Sequence, residues 1–392
     1  MTEHAAADPS PIGPFLWRYG LAWAGGNVAY IPILTLLLPM RFTVLAGAHD
    51  VEWLARTATA GAIAASLAAI LWGALSDQLN RRLSLSAFGL VLFSLATLAL
   101  GLMATPRDLF VAIIVWQVAL NLYLAPLLAC AADRVPDQSK GALGGFLAFA
   151  PAIAAISIGV VSVIGQSFQL QLAAVVAMVV GGAVPLLARR RVLLPPKISL
   201  SQAPRSRNRS TILQLWSARL VVQVAEGLIF VFLYYFLRDL SGGSLTLGRY
   251  AIANALAQGL SIPVALAVGY SSDRTGKRRA PLLAMIVILA AGLGLMAAAP
   301  SFWLAVAAYA LFLVGSNSFL ALHSAFTMQH LPNPRHYGRD LGLMNLTNTL
   351  PAVTTPLLAL GLIHWGGYPA LLAVLAAVMA IPALIVARLA IA

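Results

Sequence analysis

The sequence predicts an all-α polytopic membrane protein: twelve transmembrane helices in two parallel six-helix repeats. Three observations predict it. Apolar residues come in runs of membrane-spanning length, basic residues concentrate in alternate loops, and motifs recur at a constant offset.

Composition sets the class. Of 392 residues, 60% are hydrophobic and 9% are charged, whereas a soluble domain carries about a quarter charged residues. Twelve acidic and twenty-five basic side chains cannot cover a soluble body of this size. The formal charge of +13 raises the question of nucleic acid. No zinc pattern, DNA-reading basic helix or aromatic–basic interleaving supports such a partner. Cys130 is the only cysteine, which excludes an intramolecular disulfide and any multi-cysteine metal site. The polar segment Met1 to Pro14 lacks the basic head and cleavage site of a secretory signal, so the first apolar run is expected to remain as a span.

A spanning helix needs roughly 20 mostly apolar residues. Candidate spans run near 15–39, 51–75, 83–104, 108–131, 142–163 and 169–188, then 211–237, 246–269, 281–299, 302–327, 340–363 and 369–389. This divides the chain into a tail (1–14), a first bundle (15–188), a linker (189–210) and a second bundle (211–392). The linker combines Arg189, Arg190, Arg191, Lys197, Arg205, Arg207 and Arg209 with Pro195, Pro196 and Pro204. Such spaced charge and proline suit a flexible connector. Arg81/Arg82, Arg134/Lys140, the linker, Arg274 to Arg279 and Arg335/Arg339 fall on one side, while the alternate loops hold only Arg41, Arg107, Arg238 and Arg249. The positive-inside bias therefore predicts a multi-pass protein of the cell inner membrane with both termini cytoplasmic.

The repeat is the most informative feature. Gly73, Asp77 and Arg81/Arg82 follow the second span; Gly269, Asp273, Arg274, Gly276, Lys277, Arg278 and Arg279 follow the eighth. Glycine and aspartate keep an offset of 196 residues (73 to 269, 77 to 273), as do Asn121 and Asn317. Val135-Pro136 and Leu331-Pro332 keep it within one residue. Matches in register imply two six-helix units. Because six is even, the units are parallel, and two such bundles can rock about a site at their interface. The loop aspartates can take bonds from a helix's first turn or from an arginine, which makes these loops candidate gating latches.

These features resemble the major facilitator superfamily of transporters. Gly269 to Arg278 matches the family's loop motif throughout; in the first copy Gln78 stands for the base and Asn80 for the glycine. The resemblance covers Phe15 to about Arg388 and implies a secondary transporter working by alternating access. Tyr337 to Pro351 is similar to the opening of the eleventh helix in bacterial relatives of sugar–cation symporters, which points to a sugar or related polar solute. Gly141 to Gly159 does not reproduce the glycine-rich fifth-helix motif of the family's drug–proton antiporters. Efflux of drugs or metabolites stays open as the alternative.

Candidate pathway residues follow from the cost of polarity in hydrocarbon, about 2.5–3.5 kcal/mol for an ionised side chain at mid-helix. Glu226 is the only acid near the middle of a span, and Arg219, Gln223 and Glu226 at positions 0, 4 and 7 share one helical face. A carboxyl held between an apolar surrounding and a base can load and release a proton. Glu226 and Arg219 are accordingly the candidate proton-coupling residues, with an inter-helix hydrogen bond or ion pair that locks the seventh helix as the alternative for Glu226, and snorkelling to the cytoplasmic face as the alternative for Arg219. For the solute the candidates are Trp23, Asn27 and Tyr30 in the first span, Gln117 and Asn121 in the fourth, Asn317 and His323 in the tenth, and Asn345 and Asn348 in the eleventh. His323 has the option of bonding the solute or relaying a proton with Glu226, or equally of being a neutral histidine satisfied by a neighbouring helix. Pro32, Pro151, Pro351 and Pro356 are candidate bends. No phosphate-binding Gly-Lys-Ser/Thr loop and no cluster of carboxylates or histidines near one membrane face is present. The expectation is therefore not an enzyme but a cofactor-free, monomeric, proton-coupled secondary transporter, classed with symporters though antiport and uniport stay open, whose partners are a small solute, protons and membrane lipids.

Overall fold

The computed structural model describes residues 12–136, 139–164, 167–188, 209–245, 247–276, 278–331 and 336–389. The linker from 189 to 208 and Lys277 lie outside the described residues. The described chain is helical throughout, as it must be where no water is available to satisfy the backbone.

The first helical run comprises α1 (Ile12–Pro32), a π turn over Ile33–Leu37 and α2 (Leu38–Ala46). It starts before the expected residue 15 and extends past 39. The π turn lies between Pro32 and Pro39, each of which lacks the N–H that an α-helical ladder needs. Next come α3 (Asp50–Leu79), α4 (Arg82–Ala99) and α5 (Pro106–Arg134). Thr105 caps α5 by accepting from the Asp108 N–H at 3.1 Å, with Pro106 at the first helical position. Two pieces, α6 (Lys140–Ala148) and α7 (Ala150–Val163), occupy the expected fifth span, and α8 (Phe168–Leu187) completes the first half.

The second half contains α9 (Arg209–Leu240), α10 (Leu247–Thr275), α11 (Arg279–Ala297), α12 (Phe302–His330), α13 (Tyr337–Val378) and α14 (Ala380–Arg388). Helix α13 breaks at Gly366 and Gly367, where φ reaches +70°, a conformation natural to glycine. That break falls between the expected eleventh and twelfth spans. Ten helices among the described residues have the length and hydropathy to cross a membrane. Their outer faces are apolar as well: Phe88, Val91, Leu95 and Leu98 stand exposed along α4, as expected where lipid is the solvent.

Two hydrophobic cores form, one in each half. The first also takes in Met328, Leu331, Tyr337 and Leu341 from the second half, so the halves share apolar packing at the end that bears the repeated loops. There α3 packs on α13, and α6 packs on α10 and α12. Glycines permit the approach. A Cβ on Gly73 would lie 2.2 Å from the Gly338 carbonyl oxygen, and one on Gly141 would lie 2.4 Å from that of Gly269. Further along α3 and α13, the hydroxyls of Ser66 and Thr349 meet at 2.6 Å.

Gly73→Leu and Gly269→Leu are each expected to force the halves apart. In a Cys130→Ser background carrying Ser66→Cys and Thr349→Cys, the disulfide yield under mild oxidation should fall by half or more. Gly294→Leu, at a position with nothing within 4 Å of an added Cβ, should leave the yield unchanged.

Candidate functional site

The two repeated loops make the same junction. Asp77, at the end of α3, accepts from the backbone N–H groups of Gly338 (2.8 Å) and Arg339 (2.9 Å) at the start of α13. Asp273, near the end of α10, accepts from Gly141 (2.8 Å) and Ala142 (2.6 Å) at the start of α6. Each carboxylate thus sits on the first turn of a helix from the opposite half, where unpaired N–H groups and the helix dipole favour negative charge.

A base completes each junction. Arg82 pairs with Asp77 at 2.6 Å and donates to Ser76 Oγ at 2.5 Å. Arg278 pairs with Asp273 and donates to Ser272 Oγ at 2.9 Å. Ser76/Ser272 and Arg82/Arg278 keep the 196-residue offset. Arg82 also reaches Asp133 on α5 at 3.0 Å. The neighbouring Arg81 and Arg274, singled out from the sequence, are exposed. Turn geometry explains the motif's departure in the first copy. Asn80 (φ 54°) and Gly276 (φ 68°) occupy matched left-handed positions, and asparagine is the side-chain-bearing residue that tolerates this conformation best.

Deeper in the second half, polar side chains join α9, α12 and α13. Arg219 Nη1 donates to Ser324 Oγ at 3.1 Å and Nη2 to Asn348 Oδ1 at 3.2 Å. Gln223 Nε2 donates to the same Asn348 oxygen at 2.7 Å, and Asn348 Nδ2 donates to Asn345 Oδ1 at 2.8 Å. Glu226 accepts from Ser316 Oγ at 2.5 Å. Among the described residues no ion pair joins Arg219 to Glu226. The face predicted from positions 0, 4 and 7 is therefore real, but its two charges hold different partners.

Other candidates stand apart from this cluster. Asn317 donates to Ser261 Oγ at 2.8 Å and Gln258 Oε1 at 3.4 Å on α10. Tyr309 donates to Asn254 Oδ1 at 3.0 Å. His323 is fully buried, with Nε2 2.9 Å from the Leu215 carbonyl and Nδ1 3.4 Å from the Thr327 hydroxyl. In the first half, Asn27 donates to the Trp23 carbonyl at 3.2 Å and accepts from Tyr30 at 3.1 Å. Asn121 donates to the Gln117 carbonyl at 2.9 Å. These bonds stay within single helices. Sequence reasoning overlooked Arg82 as the ion-pairing base, although its offset to Arg278 marked it. It also overlooked Asn254, Gln258 and Ser261, which share one face of α10 at the helical spacing of 4 and 3. An open groove of about 830 Å³ lined by Trp53, Arg56, Thr59, Ile63, Arg107 and Phe110, among others, includes none of the candidates.

The whole architecture can be compared with known proteins. No curated protein matches the chain. Among solved structures, it is similar to the human organic anion transporter MFSD10 (TM-score 0.76, 13% identity, covering 96% of this chain and 99% of the other). It is also similar to a bacterial homologue of the iron transporter ferroportin in an outward-facing state (0.74, 15%, 96% and 98%). A third likeness is to the E. coli fucose:proton symporter (0.70, 14%, 97% and 99%). At such identities the likeness is one of fold. The model of the Major Facilitator Superfamily matches residues 20–328 and 215–391. The motif, the architecture and this match agree: the chain belongs to the Major Facilitator Superfamily.

Proposed function

We propose that this transporter moves a small polar solute across the cell inner membrane by alternating access, coupled to protons through Glu226. In this reading twelve spans form two parallel bundles, both termini are cytoplasmic and the protein works as a monomer. The observation that carries the reading is the pair of equivalent junctions. Two halves, each with its own core, are held at one end by the same aspartate, arginine and helix terminus used twice. Breaking both junctions, with the few second-half side chains that join the first core there, would let the halves rock while most of each core stays packed.

Glu226 supplies the coupling. Its carboxylate bonds a neutral hydroxyl, so a proton can join or leave without breaking an ion pair. Arg219, seven residues away and so about 10 Å along the helix, biases that exchange electrostatically. The similar structures are an organic anion transporter, a bacterial homologue of an iron transporter and a fucose:proton symporter, so the polar solute follows from the amides of α12 and α13 rather than from them.

Two outcomes follow. In proteoliposomes loaded with candidate sugars and organic acids, an imposed pH gradient should drive accumulation by the native protein. Glu226→Gln should abolish accumulation while leaving solute counterflow intact; uphill uptake by that variant at the native level would refute the coupling role. At the junctions, Arg82→Gln takes the base from buried Asp133 and leaves Asp77 its two backbone donors, and removing one partner of a buried pair costs about 3–5 kcal/mol. It should lower the Ser66/Thr349 cysteine-pair yield strongly, whereas Arg81→Gln, at an exposed side chain, should shift stability by no more than about 0.5 kcal/mol.

A further inference from the structure

We infer that the cargo is a small hydroxylated carboxylate and that its carboxylate docks on Arg219, beside Gln223, Asn345 and Asn348. The inference rests on the transporter reading above and adds the substrate's charge to it.

The two arginines buried at the junctions are both paired with acids: Arg82 with Asp77 and Asp133, and Arg278 with Asp273. Arg219 is not treated this way. Arg41 also has a buried Nε without a partner among the described residues, but it bonds the Met103 carbonyl near the end of its helical run. Arg219 lies ten residues into α9, about 15 Å along the axis, and among the described residues its two terminal nitrogens bond a serine hydroxyl and an asparagine carbonyl, with no acid. Its Nε is buried and has no partner among the described residues. The acid on its own face, Glu226, is engaged with Ser316 instead. A full positive charge at this depth, bonded to neutral groups with a donor unused, is a costly arrangement for structure alone. It is the arrangement expected of a site whose counter-ion arrives from outside.

The neighbours define what that counter-ion carries. Guanidinium geometry favours a planar, two-oxygen acceptor such as a carboxylate. Gln223 Oε1 is a buried acceptor without a partner among the described residues, and it requires a donor such as a hydroxyl. Asn348 is exposed, and its oxygen already accepts from both Arg219 and Gln223. It is thus the exposed edge of a network that otherwise lies inside the bundle. A carboxylate for Arg219 and a hydroxyl for Gln223 satisfy both orphaned groups at once.

The charge count links this site to Glu226. Arg219 and an ionised Glu226 sum to zero. An anion arriving together with one proton on Glu226 leaves that sum unchanged, so the loaded and empty sites present the same net charge to the membrane during reorientation.

The test is thermal-shift and radioligand binding by purified protein in detergent. It uses lactate, glycerate, gluconate and quinate, paired with the neutral polyols glycerol and glucitol. At least one carboxylate should bind saturably and more than tenfold tighter than either polyol. That preference should vanish in Arg219→Gln and partly return in Arg219→Lys. Asn348→Ala, at an exposed side chain, should weaken the same binding about tenfold and serves if Arg219→Gln does not fold. Binding of a carboxylate should also draw protons from weakly buffered solution, and Glu226→Gln should abolish this uptake. The inference is overturned if no carboxylate of the panel binds, if polyols bind equally well, or if the preference survives loss of Arg219. Glu226-dependent accumulation of a neutral sugar would overturn it while leaving the transporter reading standing. Absence of counterflow for every sugar and acid tested would instead count against that reading itself.

Discussion

A helix that begins inside a protein interface exposes N–H groups that water does not reach, and they need acceptors. In this molecule α13 and α6 meet that requirement with a carboxylate from the opposite half, Asp77 or Asp273. Much of the fold is arranged around those four bonds. The glycines at 73, 141, 269 and 338 bring the backbones close enough, the left-handed turns at Asn80 and Gly276 direct the chain back, and Arg82 and Arg278 hold the carboxylates in place. Charge-assisted bonds of this kind are stronger than neutral ones, so four of them per pair of junctions reinforce the limited apolar packing that the two halves share there.

The halves share topology but not chemistry. Asn121 and Asn317 occupy matched positions, yet Asn121 bonds within α5 while Asn317 crosses to α10. In the first half the polar candidates turn inward on their own helices. In the second, Arg219, Gln223 and Glu226 reach α12 and α13. The junctions recur in both halves, while the cross-helix bonds of the polar candidates concentrate in one.

The frame was largely legible before any coordinates. Apolar runs report spans because hydrocarbon tolerates little else, and the 196-residue offset reports duplication because a turn needing αL geometry and a capping acid constrains residue type locally. Arg219, Gln223 and Glu226 were legible as a face for the same reason. Their partners were not. Whether Glu226 meets Arg219 or Ser316 depends on how α9 is rotated against α12, which no local pattern encodes. The choice between Arg81 and Arg82 was different: local pattern did not decide it, since adjacent residues on a turn point in different directions, but the 196-residue offset to Arg278 did mark Arg82. For His323, a histidine satisfied by a neighbouring helix was one of the two legible readings; that the partner is the Leu215 carbonyl depends on the packing of α9 and was not.

The receiving side of each junction contributes backbone rather than side chains. Main-chain N–H groups are common to every residue but proline, so identity at Arg339 and Ala142 is chemically free so long as the adjoining glycines keep the approach open. Each junction therefore resembles a lock whose specification is written on one part only. Two copies of such a lock can drift independently, as the first did in acquiring Gln78 and Asn80, without the halves losing their fit.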